Sequence, residues 1–187
     1  MRIRSLLAVA ALVPFTLSAQ GSAPAAMPKV GDMAPNFTLT AATVNGISAK
    51  PVTLSSLHGK TVVLAFFPKQ RSSGCTIQMK AYRDKYDSVF GGGKHVALFA
   101  ISVDSAKDLA SWAQQEKFPF TFLSDAGPHT AGHLYATLGS RPYENRVVFV
   151  IAPNGKISSV MNPFNEVDPT QYTALHDAIE AANKQTR

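Results

Sequence analysis

The sequence contains one cysteine, Cys75, which follows an apolar segment and a short polar loop. A lone thiol cannot form a disulfide within its own chain, so Cys75 is either an inert buried residue or a reactive centre. Residues 61–67 (TVVLAFF) are typical of a strand buried on both faces, and a helix is predicted from Ser73 onwards. Cys75 would then lie in the first turn of that helix, where unpaired backbone N–H groups and the helix dipole favour a thiolate.

Two residues of the loop could assist such a thiolate. Ser72 lies three residues before Cys75 and can turn its hydroxyl towards the same point, although it could also cap the helix. Pro68 shields one side of the loop and removes a competing backbone donor. A thiolate, a hydroxyl and backbone donors around one small cavity suit attack of sulfur on a polarised O–O bond, which yields a sulfenic acid and water or an alcohol.

The elements around this loop alternate between strands and helices. An opening hairpin is predicted at 36–40 and 52–54, and the helix that carries Cys75 extends to about residue 90, where three glycines end it. Further strands are predicted at 96–102, 120–123, 147–152 and 156–161, and further helices at 106–117, 130–138 and 169–183. This order predicts an α/β fold, a thioredoxin-like three-layer sandwich with a central mixed β-sheet.

The N-terminus has the composition of a secretory signal peptide. Arg2 and Arg4 precede an apolar stretch at 5–17 that is too short to span a membrane, and the small residues Ser18 and Ala19 follow it. The sequence therefore predicts a cleaved signal peptide at 1–19, a flexible segment at 20–29 and one domain at 30–187, in a secreted or periplasmic protein. An uncleaved N-terminal anchor is the alternative.

Charge and composition argue against several classes of partner. The formal net charge is +6, but the basic residues are spread along the chain without a run that interleaves with aromatic residues. We therefore expect no nucleic-acid partner. A lipid-anchored export signal would need a cysteine at the cleavage site, and none is there, so we expect no membrane partner either. His129 and His133 are four residues apart and could share a helix face as metal ligands do, but no third ligand is evident nearby, so no metal is predicted.

Residues 68–75 (PKQRSSGC) resemble the active-site signature of the peroxiredoxins, Pro-x-x-x-Thr/Ser-x-x-Cys. This family is also known as the alkyl hydroperoxide reductase and thiol-specific antioxidant family. Other segments resemble its motifs in the family's order, at 30–37 (VGDMAPNF), 57–60 (LHGK), 101–105 (ISVDS), 122–125 (FLSD) and 146–151 (RVVFVI). The SGCT form is similar to the bacterioferritin comigratory protein branch, also called Q-type. The resemblance covers roughly residues 30–183.

The resemblance implies a function and roles for particular residues. The protein would be a thiol-dependent peroxidase that reduces hydrogen peroxide and small organic hydroperoxides, an antioxidant activity in cell redox homeostasis, without a cofactor. Cys75 would be the peroxidatic cysteine, and Ser72 would hydrogen-bond the peroxide. Arg146 would stabilise the thiolate and the transition state, and Pro68 would limit solvent access. Taken without the family, Arg146 could be a surface residue at the start of a strand.

The sequence departs from the family pattern at several positions. Ser72 replaces the commoner Thr, Ser73 stands where this branch often has Pro, and Ala152 stands where Asp often follows the arginine strand. Gln78 replaces a common Glu, so a charged residue that orients the arginine is expected to be lost. Lys80 stands where many relatives carry a second cysteine. The sulfenic acid must therefore be reduced by an external thiol, such as a thioredoxin-like protein, glutaredoxin or glutathione. The protein itself is expected to be a monomer or a homodimer.

Two other functions are compatible with the same fold. A thioredoxin-like thiol–disulfide oxidoreductase needs a Cys-x-x-Cys motif, whereas the corresponding residues 72–75 read SSGC and lack the attacking cysteine. A non-catalytic thioredoxin-like binding domain would not require both Cys75 and Arg146. Peroxide consumption by the native chain and by Cys75→Ser separates these functions.

Overall fold

The computed structural model describes residues 26–185, so the predicted signal peptide at 1–19 lies outside the described residues. The strands are β1 (Thr38–Thr43), β2 (Gly46–Ile47), β3 (Val52–Thr53), β4 (Thr61–Phe66), β5 (Val96–Ser102), β6 (Thr121–Ser124), β7 (Val147–Ile151) and β8 (Ile157–Met161). The α-helices are α1 (Ser73–Asp84), α2 (Tyr86–Phe90), α3 (Ala106–Glu116), α4 (Thr130–Leu134) and α5 (Pro169–Asn183). Among the described residues, no helix has the length and apolar character needed to cross a membrane.

The strands form one mixed sheet in the order β2-β1-β6-β5-β4-β7-β8, with β3 paired to β1 beside this path. Strand β5 lies between β4 and β6 and is parallel to both. Strand β7 pairs with β4 in the antiparallel direction, and β1 pairs with β6 in the same manner. The predicted central mixed sheet is therefore confirmed.

Both faces of the sheet are covered, which is why β4 and β7 are fully buried and, apart from Thr61 at the start of β4, apolar. On one face Val63 and Ala65 pack in a core that includes residues of α1, α2, α3 and α5. On the other face Val62 and Leu64 belong to a second core with residues of α4 and of the opening hairpin. The two cores make the three-layer sandwich that the sequence predicts.

The pairing of β4 with its two neighbours brings distant loops to one edge of the sheet. Phe66, at the end of β4, pairs with Ile101 of β5 and with Val147 of β7. The loop that follows β4, the residues that follow β5 and the residue that precedes β7 therefore meet at this edge. This is the position in which an α/β fold commonly builds a functional site.

Two predicted helices differ from the observed ones. The helix predicted from Ser73 to about residue 90 is interrupted at Lys85, whose backbone leaves the helical region (φ −106°, ψ 15°). The following α2 carries Tyr86, whose ring packs against Phe90 and Phe120. The helix predicted at 130–138 ends at Leu134 instead, and Ala136 then adopts a left-handed backbone with φ +50°.

The last helix has the predicted bounds. It begins at Pro169, in the first turn, where the missing N–H of proline costs nothing. The carboxylate of Asp168 caps this helix and accepts a hydrogen bond of 2.9 Å from the backbone N–H of Thr170. Its inward face carries Tyr172, Leu175 and Ile179, all buried against the sheet.

Candidate active site

Cys75 lies in the first turn of α1, as the sequence predicts. Strand β4 ends at Phe66, and α1 begins at Ser73 after an extended N-cap residue, Ser72. The backbone N–H of Thr76 donates to the Ser72 carbonyl over 2.8 Å and closes the first turn. The Cys75 side chain is fully buried at the helix N-terminus, next to the core.

The loop between β4 and α1 is tied to the neighbouring elements. The backbone N–H of Gln70 donates to the Asp104 carboxylate over 2.7 Å, just beyond β5. Arg71 has a left-handed backbone (φ +58°), and its guanidinium reaches α3, where it lies 3.2 Å from Ser111 Oγ and 3.1 Å from Gln115 Oε1. These bonds hold the backbone from which Cys75 is presented.

Ser72 and Pro68 are the two predicted assisting residues of this loop. Ser72 is exposed, and its hydroxyl donates to the Lys69 carbonyl over 3.0 Å. The hydroxyl makes no capping hydrogen bond to α1, so the capping role considered for Ser72 is wrong. Pro68 is half-buried at the start of the loop. Their roles towards a peroxide stay predictions.

Arg146 is the distant residue that the fold brings to Cys75. It directly precedes β7, and Val147 pairs with Phe66 at the end of β4, so the two loops are adjacent. Arg146 Nη2 donates to Cys75 Sγ over 3.6 Å. The guanidinium and the positive end of α1 both place positive charge next to the sulfur.

Gln78 lies one turn after Cys75 and contacts the same guanidinium. Its carbonyl oxygen accepts a hydrogen bond of 2.5 Å from Arg146 Nη1, and its amide nitrogen donates to the Tyr82 hydroxyl over 2.9 Å. Burial raises the pKa of Tyr82 well above its usual range, which keeps the hydroxyl neutral. The Gln78 amide is therefore fixed between a neutral hydroxyl and a cation.

A carboxylate that the sequence does not reveal completes the site. Glu166, in the loop between β8 and α5, forms a salt bridge of 3.0 Å with Arg146 Nε. The Tyr172 hydroxyl donates to the Glu166 carbonyl over 2.7 Å, and the backbone N–H of Phe164 donates to the Arg146 carbonyl over 2.9 Å. Gln78 itself is uncharged, but the arginine still has a charged partner.

Gly74 allows this carboxylate to approach α1. A Cβ atom at Gly74 would lie 2.2 Å from Glu166 Oε1 and 3.0 Å from Arg146 Nη2. The backbone of Gly74 is helical, so space rather than a special backbone conformation demands the glycine. No motif or spacing in the sequence points from Gly74 to Glu166.

The histidine pair considered as metal ligands makes other contacts. His129 Nδ1 lies 2.9 Å from the Asp125 carbonyl oxygen, and His133 occupies the last turn of α4. Within residues 26–185, no three His, Cys, Asp or Glu side chains are grouped as metal ligands would be.

Comparisons with known proteins identify the family. The chain matches the model of the AhpC/TSA family over residues 30–160. It is 33% identical over 148 residues to chloroplastic peroxiredoxin Q of Sedum lineare, a match that covers 76% of this chain and 72% of that protein. It is 31% identical over 143 residues to peroxiredoxin Bcp of Escherichia coli, with coverage of 73% and 86%.

The fold is found among solved structures as well. Peroxidoxin BcpB from Mycobacterium tuberculosis superposes with a TM-score of 0.69, at 24% identity, over 82% of this chain and 97% of that chain. This likeness supports the predicted thioredoxin-like sandwich.

The matches confirm the resemblance carried by the six motifs, and they do not favour a thiol–disulfide oxidoreductase or a non-catalytic binding domain. The sequence has a single cysteine, which fits a one-cysteine mechanism. The chain therefore belongs to the AhpC/TSA family, as a thiol-dependent peroxidase of the peroxiredoxin Q/Bcp branch.

Proposed function

We propose that Cys75 reduces hydrogen peroxide and small organic hydroperoxides in a one-cysteine cycle. The observation that carries the proposal is the distance of 3.6 Å between Arg146 Nη2 and Cys75 Sγ in the first turn of α1. The guanidinium and the helix N-terminus stabilise negative charge on the sulfur, and later on the departing oxygen. Both donors are in place before the peroxide binds, so little reorganisation is needed during the reaction.

The first step transfers one oxygen atom to the sulfur. The Cys75 thiolate attacks the terminal oxygen of the hydroperoxide, the S–O bond forms and the O–O bond breaks. The second oxygen leaves as hydroxide or alkoxide and takes a proton to become water or an alcohol. Sulfur loses two electrons and becomes a sulfenic acid, and the peroxide gains them.

The second step needs an external thiol, because the chain offers no second cysteine. That thiol attacks the sulfenic sulfur, the S–OH bond breaks with loss of water, and a mixed disulfide forms. A further thiol attacks this disulfide and releases the Cys75 thiol. Since the Cys75 side chain is fully buried, a thiol on another protein reaches it only when the first turn of α1 opens.

Ser72 and Pro68 act on the bound peroxide in this proposal. The exposed Ser72 hydroxyl is bonded to the Lys69 carbonyl, and rotation about the Ser72 Cα–Cβ bond turns it towards a peroxide near Cys75. Pro68 contributes no N–H and limits the entry of water at the start of the loop.

We also propose that the mature protein acts outside the cytoplasm. The basic residues, the short apolar stretch and the small residues at positions 1–19 support export to the periplasm or the medium. The physiological reductant would then be a thiol protein or a small thiol such as glutathione, and the peroxidase would work as a monomer or a homodimer.

Peroxide consumption in the presence of a thiol tests the proposal. The chain without residues 1–19 should consume hydrogen peroxide with dithiothreitol as reductant, and Cys75→Ser should not. Neither protein should reduce insulin disulfides, because that reaction needs an attacking and a resolving cysteine. Equal peroxide consumption by both proteins would overturn the assignment of Cys75.

A further inference from the structure

Glu166 contacts two groups that act on the Cys75 sulfur. Its Oε2 atom lies 3.0 Å from Arg146 Nε. Its Oε1 atom lies over the first turn of α1, 2.2 Å from the position that a Cβ atom on Gly74 would take. Both the guanidinium and the positive end of α1 are therefore shared between the Glu166 carboxylate and the sulfur.

The guanidinium of Arg146 is held along its planar edge. Nη2 faces Cys75 Sγ, Nη1 donates to Gln78 Oε1 and Nε donates to Glu166 Oε2. Because the guanidinium is planar, hydrogen bonds at two of its nitrogen atoms fix the orientation of the third. Glu166 and Gln78 thus direct Nη2 at the sulfur.

Of the two orienting side chains, only Glu166 carries charge. The amide nitrogen of Gln78 donates to the Tyr82 hydroxyl, which fixes the side chain. Gln78 therefore orients the guanidinium but adds no net charge next to the sulfur. The Glu166 carboxylate offsets the Arg146 charge near the sulfur, and its side chain is only 20% exposed, so water screens it weakly. An opposing charge at this place weakens the positive field of the guanidinium at the sulfur.

We infer that Glu166 is a positioning residue that aims Arg146 at Cys75 and limits how strongly the arginine field acts on the sulfur. This inference rests on the proposed function, in which the Cys75 thiolate is the attacking group. Glu166 lies in the loop 162–168, outside the six motifs and beyond the residues 30–160 that the family model matches.

Exchanging the charge between positions 78 and 166 tests the inference. Cys75 is the only thiol, so its ionisation can be followed by the ultraviolet absorbance of the thiolate, with Cys75→Ser as the blank. Glu166→Gln should lower the midpoint of this titration by about half to one pH unit, and Gln78→Glu should raise it. The double variant Gln78→Glu/Glu166→Gln should return the midpoint to within ~0.3 unit of the native value.

The rate of Cys75 oxidation by hydrogen peroxide gives the second readout. At a pH where each thiol is fully ionised, Glu166→Ala should react about tenfold more slowly, because Arg146 is no longer aimed. Asp177→Asn removes one carboxylate from the exposed face of α5 and should change neither readout. Circular dichroism and thermal unfolding check that every variant is folded.

Opposite shifts for Glu166→Gln and Gln78→Glu that cancel in the double variant would support the role of Glu166. An unchanged midpoint and rate in folded Glu166→Gln and Glu166→Ala would overturn it. The titration contains no peroxide, so it tests the role of Glu166 independently of peroxidase activity. If the native chain failed to consume peroxide, that result would count against the proposed function alone.

Discussion

Arg146 Nη2 lies 3.6 Å from Cys75 Sγ, although the two residues are 71 positions apart in the chain. The antiparallel pairing of Val147 with Phe66 brings Arg146 and Cys75 together. The loop that leads to Cys75 begins at the end of β4, next to Arg146, which directly precedes β7. The contact joins a cation to the buried sulfur of α1 next to the ends of β4 and β7. It is the geometric basis of the peroxidase chemistry proposed for this chain.

The first prediction concerns the planar shape of the Arg146 side chain. Arg146→Lys keeps the positive charge but cannot contact Cys75, Gln78 and Glu166 together, so oxidation of Cys75 by hydrogen peroxide should slow by about 10²-fold. Stopped-flow mixing with hydrogen peroxide measures this rate.

The control for this substitution is Arg71→Lys. Arg71 belongs to the Cys75 loop, but its guanidinium bonds to α3 and not to the sulfur. The rate should change by less than about threefold, as expected for an exposed loop contact. A similar loss in both variants would show that loop order, rather than the Arg146 contact, sets the rate.

The second prediction concerns the space above Gly74. Gly74→Ala should stabilise a helix by about 1 kcal/mol on propensity alone. Here the new methyl group would collide with Glu166 Oε1, so we expect a net loss of stability and slower oxidation of Cys75. Urea denaturation and stopped-flow oxidation measure the two effects.

Adding Glu166→Ala to Gly74→Ala removes the closest colliding atom and should recover part of the lost stability. Ser73→Ala, an exposed change in the same turn, serves as the control. If the Gly74→Ala protein is more stable than the native protein, the close contact with Glu166 is wrong.

The third prediction concerns a buried acid next to the arginine strand. Glu144 is 1% exposed, accepts a hydrogen bond of 2.5 Å from the Thr137 hydroxyl, and has no partner for its Oε1 atom. Burial raises the pKa of Glu144 from 4.5 to about 7, and nearby Asp125 adds to this shift.

The sign of the resulting pH dependence follows from proton binding. Between pH 4.5 and about 7 the folded protein holds a proton on Glu144 that the unfolded chain releases. The free energy of unfolding should therefore fall as the pH rises through this range, by roughly 3 kcal/mol from this group. Urea midpoints at pH 5 and pH 8 measure the fall, and Glu144→Gln should reduce it. An equal fall in the variant would assign the pH dependence to other groups.

The fourth prediction concerns the reducing step. One equivalent of hydrogen peroxide followed by glutathione should give a protein whose intact mass has increased by one glutathionyl group, and Cys75→Ser should give none. The reason is that the sulfenic acid has no cysteine within the chain to react with. Native protein that forms neither the sulfenic acid nor the adduct would contradict the one-cysteine cycle.

The sequence was sufficient to predict the elements that carry Cys75. The apolar run that forms most of β4 and the break before α1 are local signals, and the family motifs point to Arg146. Glu166 could not be predicted, because its contact with Arg146 depends on how loop 162–168 packs over α1 and not on any periodic pattern. The interruption of the helix at Lys85 cannot be predicted either, because no helix-breaking residue marks it, and Tyr86 that follows packs on the distant Phe120.

The most direct test of the account is the second-order rate constant for oxidation of Cys75 by hydrogen peroxide, measured by stopped flow on the chain without residues 1–19. Because the Arg146 guanidinium and the α1 N-terminus stabilise the attacking sulfur and the departing oxygen, we predict a rate constant at least ~10²-fold above that of free cysteine at the same pH. A rate constant equal to that of free cysteine would contradict the account, because the sulfur would then gain nothing from its surroundings.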